Sequence, residues 1–273
     1  MGELTRTFPI NGVELAWDEW GAGRPFVLCH GFSGSAHDFA LHVESLSADR
    51  RVLALDHRGH GRSTNLATLE AYSIAQLAAD MIELIDDTIG EPVDLLGHSM
   101  GGRIALEVVL TRPDLVRSLI LMDTSAWSFD PNDEERSPLM RAFIGDFDPT
   151  GGLPDLTALP NPEDELIAAA TPAEWQARKL VLSASFDAYA FKAIGTELLL
   201  NSDTMSVRHR LAEITCPVTV IVGELDEPFV SQADDLAAEV ADGKVIVVPG
   251  AYHSPQLTHP DAWLAAVATH LSR

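Results

Sequence analysis

Lysine is almost absent. Only Lys179, Lys192 and Lys244 occur in 273 residues, and all basic residues together number 18 against 41 acidic ones, a formal charge of −23. So negative a surface argues against nucleic acid, anionic membranes and polyanions as partners, and it favours solubility. Cysteine is scarcer still. Cys29 and Cys216 each sit at or beside an apolar strand-like run, the setting of a buried free thiol and not of a disulfide or a nucleophile. No apolar run reaches membrane-spanning length, residues 1–20 hold no apolar core of signal-peptide length, and no N-x-S/T sequon occurs. The expectation is a soluble, cytoplasmic protein. With 46% hydrophobic and 22% charged residues, the chain is long enough for one large α/β domain carrying an insertion or for two modest domains.

Thr5–Ile10 and Val13–Trp20 alternate apolar and polar residues around Asn11-Gly12, which predicts an antiparallel hairpin with a two-residue turn. Phe26–Cys29, Arg51–Leu55, Val93–Leu96 and Val116–Met122 are short, mostly apolar runs of the kind a strand buried on both faces shows. Helical spacing fills the gaps at Ala36–Leu46, Tyr72–Ile89 and from Met100 to about Arg112. This order predicts a doubly wound, mostly parallel sheet of about eight strands. Ligands bind outside the carboxyl ends of such strands, so the loops at Phe32, Asp56, Ser99 and Asp123 are expected to converge on one crevice.

From 126 to 205 the pattern becomes short amphipathic runs punctuated at Asp130–Asp133, Asp148–Gly152 and Leu159–Pro162, with Thr171-Pro172-Ala173-Glu174 reading as a helix cap, first-turn proline and capping acid. Residues 126–205 are therefore expected to form a helical cap inserted after the sixth strand, with 1–125 and 206–273 as the core domain. Trp127, Phe143, Phe147, Trp175, Phe186, Tyr189 and Phe191 lie in it; a minority should line a pocket, Trp127 among them. Strand character returns at Val218–Val222 and Lys244–Val248, with helices expected over Ser231–Val240 and Pro260–Leu271.

Gly97-His98-Ser99-Met100-Gly101 is the chemically telling stretch. The spacing G-x-S-x-G between a strand and a helix suits a sharp turn that exposes a serine hydroxyl and aims the Met100 N–H at any oxyanion formed beside it. His30-Gly31-Phe32 opens another small-residue loop, where the Phe32 N–H is the candidate second oxyanion donor and His30 reads as a ring bracing the loop. A serine hydroxyl near neutral pH needs a base, and the base needs an acid that fixes its tautomer. Asp226 and His253 stand just past the last two strands, giving the order Ser, Asp, His. His57 and His60 lack the companion ligands of a metal site.

The segments His30-Gly31-Phe32, Asp56–Ser63, Gly97–Gly102, Gly223–Asp226 and Gly250–His253 together resemble the α/β-hydrolase superfamily over nearly the whole chain. The resemblance implies Ser99 as nucleophile, Asp226 as orienting acid, His253 as general base, and Phe32 and Met100 as oxyanion donors. It makes Asp123 the alternative acid, as in members that carry it after an earlier strand. Haloalkane dehalogenases and epoxide hydrolases of this fold have aspartate where Ser99 stands, which argues against those chemistries. Tyr252 departs from the glycine that often precedes the histidine. The implied activity is hydrolysis of small to medium carboxylic esters, without cofactor or metal, by a monomer or homodimer. Lactone and carbon–carbon bond hydrolysis, perhydrolysis and the lyase step of menaquinone synthesis share the same apparatus. Arg103 is a candidate substrate contact because the lyases often carry arginine just after the nucleophile turn. A ligand sensor that turns over slowly is the third class.

Overall fold

Asn11 and Gly12 adopt φ of 48° and 79°, the two left-handed positions that a two-residue hairpin turn requires. They join β1 (Leu4–Ile10) to β2 (Val13–Gly21) in antiparallel register with Ile10 opposite Val13. The computed structural model describes residues 4–127, 141–156, 161–200 and 206–273; the turn signals at 130–133 and 159–160 lie outside them. Six further strands follow: β3 (Arg24–Cys29), β4 (Arg50–Leu55), β5 (Val93–His98), β6 (Val116–Met122), β7 (Val218–Gly223) and β8 (Gly243–Val248). They make one sheet in the order β1-β2-β4-β3-β5-β6-β7-β8, in which only β2 runs against its neighbours. The chain starts the parallel part at β3, moves outward to β4, then returns past β3 to β5. The reversal leaves a crevice at the carboxyl ends of β3 and β5, where doubly wound sheets take their ligands.

Helix α1 (Ile74–Glu83) begins where the Ser73 hydroxyl accepts the Gln76 N–H at 3.1 Å. It buries Ile74, Leu77, Ala78 and Met81 on the sheet, a stripe at helical spacing. A wider turn over Leu84–Ile89 carries it to Gly90. Helix α2 (Met100–Thr111) is buried almost all round, since the sheet lies on one side and α1 packs along another. The described residues between β6 and β7 form no strand and hold the helices α3 (Asp164–Ala170), α4 (Ala173–Ala184) and α5 (Ala188–Leu200). After them come α6 (Phe229–Ala238) and α7 (Pro260–Leu271), the latter burying Trp263 completely against Met122 of β6.

Three local expectations are corrected. The run 36–46 is not one helix but a 3-10 turn at Ala36–Phe39 and a single α turn at Val43–Leu46. The His37 ring binds the Trp175 carbonyl, and the Asp38 carboxylate takes both the Ser35 N–H and the Lys179 ammonium; these bonds outweigh local helix propensity. Thr171 does not cap α4. Its hydroxyl donates back to the Ile167 carbonyl at 2.7 Å, closing α3, and Pro172 stands at the cap position. The helix expected at Ser231–Val240 starts two residues earlier, at Phe229, directly after Pro228.

Candidate active site

Ser99 occupies φ 53°, ψ −116° between β5 and α2, a strained conformation for a residue with a side chain. The backbone around it is tied down. Its N–H donates to the Met122 carbonyl at 2.9 Å, and its carbonyl accepts the Thr124 hydroxyl at 2.7 Å. The flanking glycine is obligatory: a Cβ on Gly97 would lie 2.3 Å from the Gly101 carbonyl oxygen. Met100 opens α2, so its N–H belongs to the first-turn donors that have no carbonyl inside the helix. The loop after β3 approaches the serine equally closely, since a Cβ on Gly31 would stand 3.3 Å from Ser99 Cβ.

Asp226 follows β7 and His253 follows β8. His253 Nδ1 lies 2.8 Å from Asp226 Oδ2, which fixes the proton on Nδ1 and turns Nε2 into the acceptor. Burial works against charging this imidazole. The hydrogen bond and charge of Asp226, with the charge of Glu163, outweigh it, and the net effect raises His253 above the ordinary histidine value. Asp123 sits behind this pair, fully buried, its Oδ1 accepting the Gly223 N–H at 2.8 Å. Burial first and the neighbouring Asp226 charge second push its carboxyl well above the usual range.

Two cavities meet at Ser99. One, of about 490 Å³, has a mixed lining that includes His98, Glu163, Gln176 and the Asp38–Lys179 ion pair; the other, of about 260 Å³, is largely apolar and is bordered by Met100, Arg103, Trp127, Leu198 and Leu199. Phe32, Ser99 and His253 border both. Asp56 and Asp123, expected at the crevice, line neither. Asp56 instead holds the Ala36 N–H at 2.7 Å and Arg62 Nε at 2.7 Å beneath it. Tyr252 also borders neither cavity, and of the seven aromatics singled out after β6 only Trp127 and Trp175 reach one. Phe186 and Phe191 are buried beside Phe32 as core.

Arg103 is 6% exposed, and its Nη1 donates to the Ser125 carbonyl at 2.9 Å. No carboxylate among the described residues reaches ion-pair distance. Burial lowers its guanidinium to about 10, against the opposing charges of Glu107 and Glu197, so it stays cationic at neutral pH. His98 and Glu163 are functional candidates that the sequence did not single out. His98 Nε2 donates to the His253 carbonyl at 2.8 Å, and burial, then repulsion by His253, lowers the ring to about 3. His98 lies inside the G-x-S-x-G motif, but its partner, 155 residues away, leaves no local sign. His30 braces its loop as expected, its Nε2 accepting the His57 N–H at 3.1 Å.

Residues 26–267 match the alpha/beta hydrolase family, and the chain belongs to it. It is 30% identical over 246 residues to RutD of Pseudomonas savastanoi pv. phaseolicola, a protein named for carbamate hydrolysis, covering 86% of this chain and 88% of that one. It is 27% identical over 258 residues to a Bacillus subtilis (strain 168) protein named as a 2-succinyl-6-hydroxy-2,4-cyclohexadiene-1-carboxylate synthase, with 92% of each chain covered. Among solved structures, an esterase from Thermogutta terrifontis superposes with a TM-score of 0.77 at 21% identity, covering 98% of both chains. That last likeness speaks for the fold. No helix among the described residues is long and apolar enough to cross a membrane.

Proposed function

We propose that the chain is a serine hydrolase for carboxylic esters of small to medium size. Ser99 is the nucleophile, His253 the general base and acid, Asp226 the carboxyl that orients the imidazole, and the N–H groups of Phe32 and Met100 the oxyanion donors. Residues 126–205 form the cap that roofs the site. The observation that carries this reading is the 2.8 Å contact of His253 Nδ1 with Asp226, on the rim of the same cavities that Ser99 borders.

In this scheme Ser99 Oγ attacks the ester carbonyl as its proton passes to His253 Nε2. The C–O bond then breaks, and His253 returns the proton to the leaving alcohol. Water, deprotonated by the same nitrogen, cleaves the acyl-serine and regenerates Ser99. Carbamates offer the same reacting carbonyl, and the RutD relative's name makes them the first substrates to try beyond esters. The test is a chain-length series of p-nitrophenyl esters, with lactones and a carbamate, on the wild type and Ser99→Ala. The variant is expected to lose about a millionfold in kcat while remaining folded; activity retained in a clean preparation overturns the assignment.

A second reading is the lyase step of menaquinone synthesis. What favours it is Arg103, a cation without a carboxylate partner among the described residues in the wall of the smaller cavity, together with the Bacillus subtilis relative's name. Release of pyruvate from the cyclohexene precursor faster than any ester is cleaved decides for it.

A further inference from the structure

The peptide bond between His253 and Ser254 has both its polar groups taken, and from opposite sides. Its carbonyl accepts a hydrogen bond from His98 Nε2 at 2.8 Å, at the end of β5. Its N–H donates to Glu163 Oε2 at 2.9 Å, and Glu163 Oε1 accepts the Ser254 hydroxyl at 2.7 Å. Carbonyl and N–H point in opposite directions from a planar peptide. Holding both fixes the rotation of that plane, and so the direction in which the residue before it presents its side chain. Glu163 is only 2% exposed, although it stands in the highly polar run Asn161–Glu165. A buried carboxylate is costly unless it is hydrogen-bonded or faces a positive charge. Here it has both a double hydrogen bond and, one residue away, the imidazole that becomes cationic during turnover.

We propose that Glu163 is a positioning residue for His253, locking the His253–Ser254 peptide so that the turn leading into α3 completes the base. This rests on the assignment of His253 as the base. The groups facing His253 are Asp226 from the loop after β7, His98 from β5, the Phe229 ring of α6 at 5.3 Å, and Glu163. Around Glu163 stand His253 and Asp226, with Asp164 and the Asp38–Lys179 pair on the same cavity wall. Burial raises the Glu163 carboxyl, and the two Ser254 bonds draw it back only in part. Above the range in which it titrates, Glu163 adds a second negative charge beside the imidazolium.

The experiment is the pH dependence of kcat/KM for p-nitrophenyl acetate with the wild type, Glu163→Gln and Ser254→Ala. Glutamine keeps the size and one acceptor but loses the charge. Its acid limb is expected to move about half a pH unit lower, because removing a nearby anion lowers the proton affinity of the base. Plateau kcat should fall about tenfold with KM little changed, the cost of a loosened base. Ser254→Ala keeps the charge, so its limb should stay in place while kcat falls at least threefold. A uniform loss in Glu163→Gln with an unmoved limb would make Glu163 structural only and overturn the proposal. Should that variant not fold, wild-type kcat in Ser254→Ala overturns it instead. The pH profile of Ser99 labelling by a fluorophosphonate separates this from the ester assignment. Labelling without ester turnover leaves the labelling limb to carry the same comparison, and no labelling overturns both.

Discussion

Gly101 lies against Cys29 with no room for a side chain: a Cβ there would stand 2.2 Å from the Cys29 carbonyl oxygen and 2.7 Å from that of His30. The contact presses the first turn of α2 onto the end of β3, and thereby sets the depth at which Ser99 sits beside the Phe32 loop. Because the clash is with backbone, it cannot be relieved by a rotamer change. Gly101→Ala is expected to destabilise the fold by about 3 kcal/mol or more, read by urea unfolding. Wild-type stability in that variant would mean that strand and helix are less tightly joined than the geometry requires.

Asp226 and Asp123 stand together but should behave differently. Replacing Asp226 by asparagine presents an amide N–H or a neutral carbonyl to His253 Nδ1, and loss of the correct tautomer is expected to lower kcat about ten-thousandfold. Asp123→Asn keeps a carbonyl oxygen that can still accept the Gly223 N–H at a site where burial already disfavours charge, so kcat should stay within about tenfold of wild type. Steady-state kinetics on both variants decide the matter. Equal losses would mean that Asp123 shares the role given to Asp226.

Features written in local chemistry could be read from the sequence: Asn11-Gly12 as a turn, the apolar runs as buried strands, Gly97 and Gly101 framing Ser99, and Asp226 and His253 just beyond strand ends. Each depends on residues within a few positions of one another. Glu163 could not be read this way, since its partner lies 91 residues on and its neighbours Asp164 and Glu165 are what a solvated helix start also contains. The broken helix at 36–46 failed for the same reason, its side chains being claimed by Trp175 and Lys179, about 140 residues away. Arg103 was legible as a position but not as an environment. Helical spacing cannot say that a guanidinium will face the Ser125 carbonyl with no carboxylate among the described residues at ion-pair distance.

Arg58 and Asp80 form a fork: Nε to Oδ2 and Nη2 to Oδ1, each 2.6 Å, with side chains 5% and 1% exposed. Asp80 also accepts Asn11 Nδ2 at 3.0 Å, so one carboxylate of α1 joins the hairpin turn to the loop after β4. Removing either member alone strands the other as a buried charge. Asp80→Asn and Arg58→Met are each expected to cost about 3–5 kcal/mol, and the double variant clearly less than their sum. Urea unfolding of the four proteins measures the coupling. Simple additivity would show that the fork contributes nothing as a pair.

His270, on α7 and away from both cavities, gives the cleanest pH prediction. It is 2% exposed, with Nδ1 2.7 Å from the Thr219 hydroxyl. Burial, then the charge of Arg273, lowers it to about 4. A group whose proton affinity falls on folding stabilises the native state fully above its unfolded value of about 6.5. That stability is lost as pH falls toward the folded value, at about 1.4 kcal/mol per pH unit. His98, lowered to about 3, adds a second such slope over the same window, and the buried His57 and His60 act in the same direction. His253, which is raised, gains its contribution as pH falls to about 6.5 and adds no slope below it. Unfolding free energy should therefore decline between pH 6.5 and 4.5, and His270→Gln, which keeps a polar partner for Thr219 without a titrating ring, should decline less steeply by about 1.4 kcal/mol per unit while hydrolysing substrate as well as the wild type. Parallel slopes for the two proteins would show that His270 takes up its proton without leaving the fold.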